Sequence, residues 1–218
     1  MNKATKRILF WTGAALVIAA SVFIVIQGAE PSSNTDISVG EIAETDWSKG
    51  NPEAKVTLIE YSDFQCPACA SFAALVDNMM KEYGSHVHFA YRHFPLKSIH
   101  PNATLAARAA NAAGEQGQFF EMHNLLFLNT DYWASKNPKE AEDAFAELAV
   151  SLEIDPQKFL EDYNSDENIK GVEDSYNHAV KAGLTYTPSF ILNGELTKMP
   201  SNPEAFNKMI REAIEAAE

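Results

Sequence analysis

The chain has 218 residues, 46% of them hydrophobic, 11% aromatic and 22% charged, a globular composition that excludes a disordered, collagenous or low-complexity protein. Its formal net charge is −13, and because the first acidic residue is Glu30 the remainder beyond the leader is more acidic still, which argues against a nucleic-acid-binding surface. Two cysteines are too few for a disulfide-dense scaffold or for a four-cysteine zinc site.

Residues 8–26 (ILFWTGAALVIAASVFIVI) carry no charge and follow Lys3, Lys6 and Arg7. As a helix rising ~1.5 Å per residue they approach the ~30 Å hydrocarbon thickness of a bilayer, so a transmembrane anchor is expected here. The basic tail, residues 1–7, then stays cytoplasmic and the acidic remainder lies outside, in a periplasm or beyond the cell membrane. A cleaved signal peptide is the rival reading. Its apolar region is usually shorter, and a cut after Ala29 would put Gln27 where a small residue is wanted. Residues 27–50, with Ser, Asp, Glu and Gly among scattered Ile and Val, read as a linker that gains order near Trp47.

The stretch Lys55–Asp63 (KVTLIEYSD) predicts a buried strand. From Cys66 to Tyr83 the period lengthens: Phe72, Leu75, Val76, Met79 and Met80 stand at helical spacing, with Gly84 as the stop. His86–Phe94 (HVHFAYRHF) predicts a second strand, parallel to the first. Pro101 to about Tyr163 reads as helix in three segments, and Asp166–Ala182 as another, ended by Gly183. That is too much helix for one crossover, so an inserted helical subdomain is expected over about 100–183. A strand at Thr187–Leu192 then meets Asn193-Gly194, the spacing of a type I′ hairpin, with Glu195–Met199 returning. Asn202–Ala217 closes as an amphipathic helix with Pro203 in its first turn. The order is β-α-β, helical insert, β-β-α, an α/β fold class.

The chemistry is carried by Cys66-Pro67-Ala68-Cys69 at the junction of the first strand and helix. At a helix start, unpaired backbone N–H groups and the positive end of the helix dipole favour thiolate over thiol. Cys69, one turn on, sits beside and below Cys66. One sulfur is then the nucleophile and the other the resolving thiol, cycling between dithiol and disulfide through a mixed disulfide with a client. Pro67 costs no hydrogen bond at a helix start. A structural disulfide across so short a loop would stabilise little. A zinc site would need two further ligands, and His86, His88, His93, His100, His123 and His178 form no second paired motif.

Together the runs VTLIEYSDFQCPACASF, YRHFPL and TPSFILNG resemble the thioredoxin superfamily, and within it the DsbA-like thiol:disulfide oxidoreductases, including membrane-anchored forms. The resemblance covers residues 51–218 and implies a thioredoxin-like fold with an inserted helical subdomain, acting as an extracytoplasmic oxidant of client thiols through Cys66. It implies that Thr187-Pro188 holds a cis-proline facing the disulfide. Thr187 and Pro188, with Pro67 and Ala68 between the cysteines, would contact the client. On the residues alone, a trans proline at the start of an exposed strand is the favoured reading, and only the resemblance reverses it. The resemblance also makes Glu60 a buried proton carrier for Cys69, against the alternative of a solvated strand-edge glutamate. Ala68 departs from the best-known DsbA pattern, where a histidine helps hold the thiolate, and this leaves the direction of transfer open between oxidant and reductase or isomerase. No dissociable cofactor is implied. The implied partners are unfolded or partly folded secreted client proteins and a quinone-linked membrane oxidase of the DsbB or vitamin K epoxide reductase type. A client-binding module without turnover is the alternative from another class.

Overall fold

The computed structural model of the chain describes residues 38–218, together with residue 2. The apolar segment 8–26 and the first part of the linker lie outside the described residues. Among those described, no helix is long and apolar enough to cross a membrane.

Five strands form one mixed sheet: β1 (Trp47–Gly50), β2 (Val56–Ser62), β3 (Val87–His93), β4 (Ser189–Leu192) and β5 (Glu195–Leu196), in spatial order β1-β3-β2-β4-β5. The parallel pair is β2 with β3, as a strand-helix-strand unit requires, and β1, β4 and β5 each run antiparallel to their neighbours. The helices are α1 (Pro67–Tyr83), α2 (Ala103–Gly114), α3 (Phe119–Leu128), α4 (Thr130–Trp133), α5 (Pro138–Val150), α6 (Pro156–Tyr163), α7 (Asp166–Lys181) and α8 (Pro203–Ala217). Several begin where the sequence supplies a polar cap. Asn137, Asp155, Ser165 and Asn202 each accept a hydrogen bond from a backbone N–H of the helix that follows, and a proline occupies the first turn of α5, α6 and α8.

The sheet separates two apolar layers by the parity of its side chains. Val56 and Leu58 of β2, Val87, Phe89 and Tyr91 of β3, and Phe190 of β4 join a large core with α1, α8 and most of the helical insert. Ile59, Tyr61, Ala90 and Ile191 point the other way, into a smaller cluster with Ala179 of α7, Phe94 and Leu184. The insert packs around α2, whose buried face is almost wholly alanine, so neighbouring helices approach it closely.

The end of the 27–50 linker, where order was expected near Trp47, is part of the sheet. Trp47–Gly50 is a strand of the sheet, paired antiparallel with His88–Tyr91. Trp47 explains it: the indole stacks on Phe119 with centroids 4.6 Å apart and planes 9° apart, and its Nε1 donates to Asn111 Oδ1 at 2.7 Å. The hairpin is as expected, with Asn193 and Gly194 both at positive φ (50° and 86°), but its second strand is only Glu195–Leu196 rather than reaching Met199.

Candidate active site

The loop entering α1 is fixed before any cysteine chemistry begins. The buried Asp63 carboxylate accepts from the backbone N–H of Gln65 and of Leu96, both at 2.7 Å, and lies 2.8 Å from His100 Nδ1. Its carbonyl accepts from the Cys66 N–H at 3.1 Å. Gln65 donates to the Ala134 carbonyl and accepts from the Asn102 N–H, and the Asn102 side chain reaches the carbonyls of Trp133, Ala134 and Lys136. The cysteine loop is thus bolted to the helical insert on one side and to the β3–α2 connection on the other.

Cys66 is the N-cap of α1, in an extended conformation (φ −76°, ψ 119°), with Pro67 in the first turn. It is 8% exposed, and Cys69 is fully buried at 0%. Both are free thiols. The Cys66 thiol is held well below the ordinary value, at about 5, chiefly because Cys69 donates a hydrogen bond to it; burial opposes this, and the neighbouring Thr187 and the backbone N–H groups of Cys69 and Ala68 add to it. Burial, with the partnership to Cys66 and the nearby Glu60 charge, pushes Cys69 well above its usual range. One sulfur is poised as thiolate and the other as thiol. The two do not point apart.

Thr187-Pro188 is a cis peptide, and Thr187 and Pro188 are both buried. In the thiol form Cys66 Sγ donates to the Thr187 carbonyl at 3.4 Å. The turn before β4 therefore meets the start of α1 at the reactive sulfur, as the resemblance implied. Pro67 is exposed, and Ala68 acts on Cys66 through its backbone N–H, needing no side chain for that part of the task.

Glu60 is 1% exposed on the same sheet face as the cysteines, not at a solvated edge. Burial raises its carboxyl to about 7, while Ser62 and Lys49 pull it down. It pairs with Tyr91 across β2–β3 and with Phe190 across β2–β4. Neither carboxylate oxygen has a hydrogen-bond partner, and Ser62 Oγ and Tyr91 OH are equally buried and unpartnered. His93 and His123 border this patch, both held neutral by burial with values lowered to about 4. His93 Nε2 donates to Asn111 Oδ1 at 2.7 Å.

The structure thus brings together Cys66, Cys69, Glu60, Thr187 and Pro188, with Pro67 and Ala68 in the connecting turn. Sequence reasoning missed Asp63, Ser62 and Tyr91. Ser62 was within reach of it, since residues i and i+2 of a strand share a face. Tyr91 needed the strand register. No cluster of His, Cys, Asp or Glu suited to a metal ion occurs among the described residues.

Comparison with known proteins bears on this arrangement. The family model described as Thioredoxin matches residues 43–212. The Na(+)/H(+) antiporter NhaA 3 of Salinispora tropica is 33% identical over 182 residues, 84% of this chain and 27% of that protein, so the chain spans about a quarter of that relative's length. A thioredoxin-like oxidoreductase from Silicibacter pomeroyi DSS-3 superposes with a TM-score of 0.64 at 26% identity, covering 80% of this chain and 93% of that one. The alpha-DsbA1 of Wolbachia pipientis superposes with a TM-score of 0.69 at 19% identity, covering 81% and 94% respectively, and shares the fold.

Proposed function

The chain belongs to the thioredoxin family, and from that premise we propose that it is an extracytoplasmic thiol:disulfide oxidoreductase that exchanges its Cys66–Cys69 disulfide with thiols of client proteins. The observation that carries this is the unequal pair of sulfurs at the start of α1: Cys66, 8% exposed, held as thiolate, and Cys69, fully buried, held as thiol.

In the oxidising direction a client thiolate attacks Cys66 Sγ. A client–Cys66 bond forms, the Cys66–Cys69 bond breaks, and Cys69 leaves with the electron pair and takes up a proton. A second client thiolate then attacks the client sulfur of the mixed disulfide, forming the client disulfide and releasing Cys66 as thiolate. The client loses two electrons and the enzyme gains them. A leaving group as acidic as Cys66 departs readily and stabilises the reduced enzyme, which favours oxidation of clients. Ala68 supplies no side-chain donor to the thiolate, which tempers that drive. No dissociable cofactor enters the reaction.

Thr187 and Pro188, beside the reactive sulfur, and Pro67 and Ala68 serve as the client contact. Residues 8–26, apolar behind Lys3, Lys6 and Arg7, support a membrane-anchored enzyme whose catalytic domain faces the periplasm or exterior. This reading requires an oxidant that restores the disulfide, and the family resemblance suggests a quinone-linked oxidase of the DsbB or vitamin K epoxide reductase type. The antiporter named among the relatives is about four times as long as the shared region, and its transport activity forms no part of this proposal.

The test is the Cys69→Ser variant, its Cys66 first loaded as a mixed disulfide with 5-thio-2-nitrobenzoate, mixed with a reduced, unfolded client whose thiolate displaces the thionitrobenzoate. Mixed disulfides at Cys66 accumulate if exchange is the function. If none form, and client binding survives removal of both cysteines, the protein is a binding module instead.

A further inference from the structure

Resting on the exchange reaction above, we propose that the Ser62 hydroxyl is the proton bridge between Glu60 and the resolving Cys69, a hydroxyl relay set into the sheet directly beneath the disulfide. Ser62 and Glu60 stand two residues apart on β2, so their side chains leave the same face, the one covered by α1. Tyr91, opposite Glu60 on β3, closes the patch. The Ser62 hydroxyl stands near enough to the Glu60 carboxyl, the Cys69 thiol and the Tyr91 phenol to favour the charged form of each, without a settled hydrogen bond to any of them. Ser62 Oγ, Tyr91 OH and both Glu60 oxygens have no hydrogen-bond partner in this dithiol state. Orphaned polar atoms at such depth cost free energy, and a serine hydroxyl that rotates between an acceptor and a donor is suited to use them in turn.

The other titratable groups around Ser62 do not compete for this role. Tyr91 is pushed well above its ordinary range by burial, so it keeps its proton near neutrality. His93 on β3 and His123 on α3 stay neutral. Asp63, next on the chain, is committed to Gln65, Leu96 and His100. Lys49 of β1 donates to Asp77 of α1 at 3.2 Å and acts on Glu60 only through its charge. Cys66 is the partner being attacked. Glu60, at about 7, is left as the group that exchanges a proton near neutrality.

In the resolving step the Cys69 thiol gives its proton to Ser62 Oγ while Ser62 passes its own to the Glu60 carboxylate. The Cys69 thiolate then attacks Cys66 Sγ, the Cys66–Cys69 bond forms, and the client leaves as thiolate. In the opposite direction, as Cys69 is expelled, the Glu60 carboxyl returns the proton along the same path. Ser62 ends each pass unchanged.

The experiment compares oxidised wild-type protein with Ser62→Ala and Ser62→Thr in single-turnover reduction by dithiothreitol across the pH range, with the Cys66 titration followed separately by its thiolate absorbance. Ser62→Ala should slow the step about tenfold or more and remove the inflection that belongs to Glu60, with Cys66 titrating as in the wild type. Ser62→Thr, which keeps a hydroxyl, should restore both rate and profile. A Ser62→Ala protein with wild-type rate and profile overturns the relay. So does one whose Cys66 titration moves with the rate, or a Ser62→Thr protein that fails to rescue, since either marks a packing role. A wild-type chain that exchanges with no thiol at any pH overturns the functional reading itself, a distinct result.

Discussion

Cys66 Sγ stands 3.4 Å from the carbonyl oxygen of Thr187, so the residue that caps α1 meets the peptide that leads into β4 although 121 positions separate them. That contact and the Cys69 thiol fix the environment in which Cys66 ionises.

Alkylation of the reduced protein should therefore report a thiol titrating at about 5, with Cys69 unreactive under native conditions. Because the Cys69 hydrogen bond is the largest influence, Cys69→Ala should raise the Cys66 value, and Cys69→Ser, which still carries a donor, should raise it less. A Cys66 that titrates like a free thiol contradicts the site as described.

Glu60 makes stability depend on pH with a definite sign. Its carboxyl is raised from 4.5 to about 7 in the fold, so its contribution is fully present below 4.5 and is lost as pH climbs through 7. The difference is about 3 kcal/mol at ~1.4 kcal/mol per unit. Denaturant unfolding of wild type and Glu60→Gln should give curves that diverge by about that amount across this window, with the wild type losing ground as pH rises. Curves that run parallel would show that the carboxyl is not buried as described.

On the opposite face of the sheet, Arg92 is buried between Asp46 and Tyr61. Its Nε and Nη2 bind the two Asp46 oxygens at 2.8 and 2.6 Å, and its Nη1 donates to Tyr61 OH at 2.7 Å, which shares a hydrogen bond with His178 Nδ1 at 2.9 Å. Asp46→Ala leaves the guanidinium buried without its counter-ion and should cost about 3–5 kcal/mol in equilibrium unfolding. Cys66 alkylation should be unchanged, since the thiols belong to the other layer. A loss below about 1 kcal/mol, the range of exposed pairs, would refute this account.

Gly114, at the end of α2, has no room for a side chain: a Cβ there would lie 2.3 Å from the Trp47 ring. Gly114→Ala should displace Trp47 from Phe119 and Asn111 and loosen β1, costing about 1–3 kcal/mol and shifting the intrinsic tryptophan fluorescence. Unchanged fluorescence and stability would mean that the indole does not seat there.

Most of the secondary structure was legible in the sequence because its signals are local: the alternation of KVTLIEYSD, the helical spacing from Phe72 to Met80, and the Asn193-Gly194 turn. The cysteine pair was legible for the same reason. Trp47–Gly50 was not, because a four-residue strand amid polar residues is made a strand by an indole docking on Phe119 and Asn111, more than sixty residues away. Asp63 escaped notice likewise: its partners Leu96 and His100 come from a different loop. Glu60 could be suspected from the strand, but whether its carboxylate meets water or Tyr91 is decided by pairing register, which no single segment encodes.

The seven residues of β2 work as a partition wall with a different tenant on each side. Val56, Leu58, Glu60 and Ser62 serve the sulfurs, while Ile59 and Tyr61 hold the segment that arrives through Asp46. Since neighbours in a strand must look opposite ways, one residue inserted into or deleted from this wall would swap the tenants wholesale, handing the phenol to the cysteines and the carboxylate to the guanidinium. Substitutions can adjust either side by degrees; a shift of frame admits no half measure.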